Sequence, residues 1–200
     1  YEKTYPECEL FCVKMMDKMI ENGIDGQPVA LFMEPIQASG GMIPFPGPYY
    51  KAIRELCDKH DMLLVWDEIQ TAFGRVGEMF CAELYDTVPD ILIFGKSIGG
   101  GFPLAGSLQR EHLKGFEPGD HSFTFAHFPV SMVAGLATLK AMEEENHLDN
   151  CRKMGAYFTE RLLELKEKYA LIGDVRGPGL MIGIELVRDR ETRKPANQES

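Results

Sequence analysis

The sequence lacks long hydrophobic runs, paired metal ligands and a surplus of basic residues, and each shortage removes a class of function. No apolar stretch approaches the roughly 18 residues that a membrane-spanning helix needs, and no signal peptide opens the chain. The first residue is Tyr1 rather than methionine, so the amino terminus reads as cut or processed. Lys and Arg number 21 against 31 Asp and Glu, a net charge of −10. That balance offers nothing to neutralise a run of phosphates, which argues against a general nucleic-acid binder. The five cysteines, Cys8, Cys12, Cys57, Cys81 and Cys151, are odd in number and form no CxxC pair. Free thiols in a reducing cytoplasm are the expectation. The histidines, His60, His112, His121, His127 and His147, show neither HxxxH nor HExxH spacing, so no metal site is expected. No GxSxG element supports a serine triad, and there is no internal repeat or low-complexity segment.

What is present is the composition of a globular chain: 200 residues, 44% hydrophobic and 26% charged, enough for one large domain or two small ones. Residues 7–22 carry Leu10, Phe11, Val13, Met15, Met16, Met19 and Ile20 at helical spacing, a stripe that reads as core. Val29–Met33 is a short apolar run of the buried-strand type. A Gly/Pro-rich loop spans Gly40–Pro48, and Tyr49–His60 is an amphipathic helix with Tyr50, Ile53, Leu56 and Cys57 on one face. Strands follow at Met62–Trp66 and Ile91–Gly95, with a short helix over Met79–Tyr85. Two long helices, Pro129–Glu145 and Asp149–Tyr169, lead to a turn at Asp174–Gly179 and an alternating strand over Leu180–Val187. This order implies an α/β fold with a mostly parallel sheet flanked by helices, followed by the start of a smaller C-terminal α/β domain. The boundary is placed so that 1–140 belong to the large domain and 141–200 supply linking helices and the start of the small one.

Three apolar runs each end in a charged residue: Glu34, Asp67 and Lys96. Ligands of parallel sheets gather at the carboxyl ends of strands. Lys96 stands between Ile91–Gly95 and the glycines Gly99-Gly100-Gly101. A lone ammonium is costly to bury there, and desolvation frees the amine to form a Schiff base with a carbonyl. A Walker loop is the first rival, since Gly95-Lys96-Ser97 matches its end. The pattern needs a glycine where Asp90 stands, and the lysine loop should precede the Leu63–Glu68 element rather than follow it. Lysine chemistry with an aldehyde cofactor fits better. Pyridoxal phosphate requires a lysine for its Schiff base and a carboxylate to keep its ring nitrogen protonated. Lys96 can supply the first and Asp67 the second. A buried Lys–Asp pair serving only the core is the structural alternative, but such pairs are rarely worth their desolvation.

At these residues the chain resembles a known family. Glu34-Pro35-Ile36-Gln37, Trp66-Asp67-Glu68-Ile69-Gln70 through Gly77, Pro89-Asp90-Ile91 through Pro103, Ser122-Phe123-Thr124-Phe125 and Gly173–Leu180 are similar to the class III pyridoxal-phosphate aminotransferases. The resemblance implies a fold type I enzyme, a homodimer, that transfers an amino group from an amino acid to a 2-oxo acid. It implies Lys96 as the Schiff-base lysine and proton carrier. Asp67 becomes the partner of the ring nitrogen, and Gln70 the partner of the ring 3-oxygen. Thr124 would reach the phosphate of the other subunit's cofactor, and Arg176 would hold the substrate carboxylate. Glu34 has a supporting place. Ser39 stands on the substrate side, where ornithine and 4-aminobutyrate enzymes carry a glutamate that pairs with the arginine. A serine cannot neutralise Arg176, so a free guanidinium is expected, as in dialkylglycine decarboxylases. His127 and Phe128 replace Gly-Asn of many relatives. The same resemblance implies that a preceding portion with most phosphate contacts, and the end of the small domain, are absent. Decarboxylation, racemisation or elimination on the same lysine, and a structural fragment that binds no cofactor, are the alternatives.

Overall fold

The apolar runs around residues 30, 65 and 92 become neighbouring strands in the computed structural model, which describes residues 3–120, 124 and 128–197. In chain order the elements are α1 (Phe11–Gly23), β1 (Ala30–Met33), β2 (Ile36–Gln37), β3 (Ile43–Pro44), α2 (Gly47–Lys59), β4 (Leu63–Asp67), α3 (Cys81–Leu84), β5 (Ile91–Phe94), a 3-10 turn (Lys96–Gly99), β6 (Gly106–Gln109), α4 (Pro129–Glu144), α5 (His147–Lys168), β7 (Ile172–Arg176), β8 (Gly183–Asp189) and β9 (Lys194–Pro195). The main sheet has the order β1-β4-β5-β6. Its first three strands are parallel, with Met33 opposite Trp66 and Asp67 opposite Ile93. Strand β6 joins antiparallel to β5 and was not legible as a strand. A second sheet, β7-β8-β9, is antiparallel.

Helix α2 carries its apolar residues at helical spacing because that face covers the sheet. Tyr50, Ile53, Leu56 and Cys57 are buried against Leu64 and Trp66. The Tyr50 ring stacks on Tyr85 with centroids 3.8 Å apart and meets Trp66 edge-on at 5.6 Å. Its hydroxyl donates to the Pro35 carbonyl at 2.9 Å and accepts from the Phe45 N–H at 3.1 Å. Each such side chain contributes about 1.5–3 kcal/mol through burial. The stripe on α1 divides instead of burying whole. Val13 is buried and Met16 and Ile20 pack on the cluster, while Phe11, Met15 and Met19 face outward, Met19 at 58% exposure. Apolar side chains surround more of α1 than α2 alone can cover.

At the amino end of the main sheet a buried acid is fully matched. Asp90 Oδ2 accepts from Arg54 at 2.6 Å and from the Leu64 N–H at 2.7 Å, and its Oδ1 lies 3.3 Å from Arg110 Nε. Burial pushes the Asp90 carboxyl up. The Leu64 N–H and the Arg54 guanidinium outweigh that and hold it below the usual carboxylate range.

The two sheets are joined through backbone contact. The segment expected as one turn from Asp174 splits: Asp174–Arg176 belong to β7, because they pair with β8, and the turn begins at Gly177. Gly179 has φ 56°, and a Cβ there would sit 2.5 Å from the Val76 backbone. A Cβ on Gly155 of α5 would strike the Gly179 carbonyl. The Leu180 N–H donates to the Arg75 carbonyl at 3.0 Å. Glycine at these positions lets helix α5, the 177–180 turn and the 74–77 loop lie against one another.

Candidate active site

Strands β4 and β5 end side by side, so the residues that leave them share one edge. The Glu68 N–H donates to the Ile93 carbonyl at 2.8 Å, which keeps the two strand ends level. Asp67 closes β4 half-buried, and its Oδ1 accepts from the Ile69 N–H at 3.0 Å. Lys96 opens the 3-10 turn two residues beyond β5, in the left-handed backbone region at φ 49°. A lysine there carries strain of about 1 kcal/mol that a glycine would not. Its Nζ donates to Gln70 Oε1 at 2.7 Å. The expected burial of Lys96 is not found: the side chain is exposed, and among the described residues its ammonium donates to one amide oxygen.

Lys96 and Gln70 line a cavity of about 310 Å³ together with Arg75, Ser97, Leu180 and Met181. That volume is at the small end of the roughly 300–1,000 Å³ of small-molecule sites. Arg75 and Ser97 were within quoted motifs but received no role from the sequence. The Arg75 carbonyl is fixed by Leu180 N–H and by the Cys151 thiol at 3.4 Å.

Arg176 is placed differently from expectation. Its Nε donates to the Gly41 carbonyl at 3.0 Å, and its Nη1 lies 2.9 Å from Asp174 and 2.5 Å from Glu185. The guanidinium is therefore engaged rather than free. Asp174 precedes it by two residues on the same face of β7, and Glu185 faces Asp174 across the strand pair. The neutralising acids come from its own sheet, so the serine at position 39 does not leave it unpaired. Ser39 is exposed in the turn between β2 and β3. Glu34 Oε2 accepts the Ala38 N–H at 2.8 Å and so holds that turn. Thr124 is exposed in a turn. Its neighbours Ser122, Phe123, Phe125 and His127 lie outside the described residues. Phe128 precedes the first turn of α4.

Glu68 is the site-adjacent residue that sequence reasoning missed. It is 0% exposed. Its carboxylate accepts from Thr71 Oγ1 at 2.9 Å, Cys81 N at 2.6 Å and Ala82 N at 3.0 Å. Burial pushes the Glu68 carboxyl above its ordinary value despite these donors. Away from the site, Asp17, Glu21 and His60 bring potential ligand atoms together. The Lys59 ammonium already sits among them, 2.7 Å from Asp17 and 2.9 Å from Glu21.

An exposed amine, an amide and a half-buried carboxylate at the carboxyl edge of a parallel sheet define an α/β protein with a lysine-centred site. Residues 2–199 match the family model described as aminotransferase class-III. The chain belongs to the class III aminotransferase family. It is 40% identical over 202 residues to a leucine/methionine racemase of Thermococcus litoralis, covering 100% of this chain and 46% of that protein. It is 40% identical to an acetylornithine aminotransferase of Clostridium acetobutylicum over 172 residues, 85% of this chain and 44% of the relative. Among solved structures, a PLP-bound amine transaminase from an uncultivated Pseudomonas species superposes with a TM-score of 0.82 at 37% identity, over 92% of this chain and 44% of that one. The chain thus spans less than half the length of these relatives.

Proposed function

We propose that this chain carries the lysine half of a pyridoxal-phosphate-dependent aminotransferase that moves an amino group from an amino acid to a 2-oxo acid. The observation that carries the reading is the Lys96–Gln70 contact of 2.7 Å beside Asp67, at adjacent strand ends, in a member of this family. The donor set fits the cofactor. Lys96 presents an exposed primary amine. Asp67 has Oδ1 satisfied by a backbone N–H, and among the described residues Oδ2 is left for a protonated ring nitrogen. Pyridoxal phosphate, when bound, supplies the carbonyl carbon for amine exchange and a ring that draws electrons from the substrate Cα.

The chain's residues do the rest. Lys96 Nζ holds the cofactor and then moves a proton at the substrate Cα as base and acid. Asp67 keeps the ring nitrogen charged, and Gln70 orients both the lysine and the ring oxygen. Ser39 stands at the mouth of the substrate side. Arg176 takes a substrate carboxylate by exchanging Asp174 or Glu185 for it, a job suited to its planar fork. Glu34 supports the neighbouring turn. Thr124 serves the phosphate of a partner subunit's cofactor in a homodimer. Residues 1–140 form part of the cofactor domain, and 141–200 the linking helices and the start of a smaller one. The four-stranded sheet lies wholly before position 141 and the three-stranded sheet wholly after it. Five free thiols fit the cytoplasm.

Racemisation is the second reading, favoured by the 40% identity to a leucine/methionine racemase. The test begins with purified protein and added pyridoxal phosphate. A visible absorbance band that Lys96→Ala abolishes supports the reading, and a colourless wild-type protein returns the chain to a scaffold. Amino acids are then offered with pyruvate or 2-oxoglutarate. A new amino acid formed from the acceptor supports transfer. Loss of optical purity without an acceptor assigns racemisation, and carbon dioxide release assigns decarboxylation.

A further inference from the structure

We infer that Glu68 is the positioning residue of the site: its buried carboxylate closes the 71–82 loop and thereby fixes Gln70 against Lys96. The inference takes its catalytic meaning from the proposed function, but its geometry stands without it. Three donors meet the carboxylate, and all three belong to the ends of one loop: Thr71 Oγ1 at its start, and Cys81 N and Ala82 N at its close. The Glu68 carbonyl adds a fourth tie by accepting the Ala72 N–H at 3.0 Å. Gln70 sits inside this clamp. Ile69, on one side, is held by Asp67 Oδ1 at 3.0 Å, and Thr71, on the other, by Glu68. The loop is closed a second time within itself, by Phe73 N to Met79 O at 2.6 Å and Gly74 N to Glu78 O at 3.1 Å. It carries Arg75 into the wall of the Lys96 cavity.

The chemistry of this choice matters. No lysine or arginine is paired with Glu68 among the described residues, so the carboxylate is desolvated without a counter-charge. An apolar residue of similar size would fill the space at lower cost. A carboxylate offers what it cannot: acceptors for N–H and O–H groups from both ends of a loop at once. The fold accepts a costly group at the one place where the loop must register with the lysine.

The experiment reads Lys96 directly and needs no cofactor. Intact protein is treated with formaldehyde and a mild borohydride, and the methylation rate of each lysine is followed by peptide mass spectrometry. Glu68→Gln, Glu68→Ala, Gln70→Ala and the Glu68→Ala/Gln70→Ala double variant are compared, with exposed Lys153 on α5 as internal standard. Release from Gln70 raises the Lys96 rate several-fold relative to Lys153 in Glu68→Ala and in Gln70→Ala. The double variant rises no further, and Glu68→Gln, which keeps an acceptor for Thr71, falls between wild type and Glu68→Ala. Thermal melting recorded in parallel separates folding from positioning. A Glu68→Gln protein that melts lower than wild type yet methylates Lys96 at the wild-type rate overturns the inference. So does a double variant whose effects add.

Discussion

At the amino end of the main sheet, Asp90 meets two arginines and a backbone N–H. At the carboxyl end, among the described residues, Lys96 meets a single amide oxygen and Asp67 a single backbone N–H. The residue types are alike and the strands are the same. What differs is the number of partners. Charges whose hydrogen-bonding capacity is filled hold strands and helices together, while charges left short are available to a ligand. The backbone does not follow this division: Lys96 is held in a left-handed conformation, and so is Asp61 just before β4.

Removing a charge at each end should therefore give opposite results. At the carboxyl end, Lys96→Ala is expected to lower transamination by about 10³-fold or more, with melting unchanged; a fall in melting temperature alongside would break the contrast. At the amino end, Asp90→Ala leaves Arg54, 17% exposed, with the largely exposed Asp58 as its remaining acid and the Leu64 N–H without its acceptor. That should cost about 3 kcal/mol of stability, measured by urea unfolding. A loss much below that would show the amino-end cluster to be as loosely partnered as the carboxyl end. Lys96→Gly sharpens the comparison in the other direction: relief of left-handed strain should raise stability by about 0.5–1 kcal/mol while activity is lost.

The pH dependence of stability separates the two buried acids by sign. Asp90 is held below its ordinary value of 3.8, so its contribution is complete above that pH and is lost as pH falls below it. Glu68 is raised above 4.5, so the folded chain binds its proton more tightly than the unfolded chain does. Its contribution is largest below 4.5 and declines as pH rises through the window above. Unfolding measured across pH should show a shallower acid-side loss in Asp90→Asn and a shallower decline above pH 4.5 in Glu68→Gln. Identical slopes in both variants and wild type would remove the distinction.

Much of this arrangement was legible. Short continuous apolar runs placed β1, β4 and β5, and a 3.6-residue pattern placed α2, each within a residue or two. The lysine and aspartate were singled out because charged residues end apolar runs at the carboxyl edge of a sheet, and that is where the structure places them. Strand β6 was missed because Gly106-Ser107-Leu108-Gln109 is mostly exposed and shows no apolar alternation. The expectation of a free Arg176 failed because Asp174, two residues before it on β7, was read as part of a turn, and because Glu185 lies one strand away, where cross-strand register is not written in local spacing. Glu68 was passed over for a similar reason. Its three donors stand 3, 13 and 14 residues along the chain, and only the folded loop brings them to one carboxylate.

The sole tryptophan of the chain, Trp66, immediately precedes Asp67 and is fully enclosed. Among the described residues its indole N–H has no hydrogen-bond partner, and the Tyr50 ring stands edge-on to it. Indole emission, excited at the red edge of the band where the seven tyrosines do not absorb, consequently arises at one known place, next to the carboxylate that would grip a bound pyridine. A chromophore absorbing in the near-visible range and docked at that strand end would quench it by energy transfer. The molecule has a built-in optical gauge of occupancy, readable without any label.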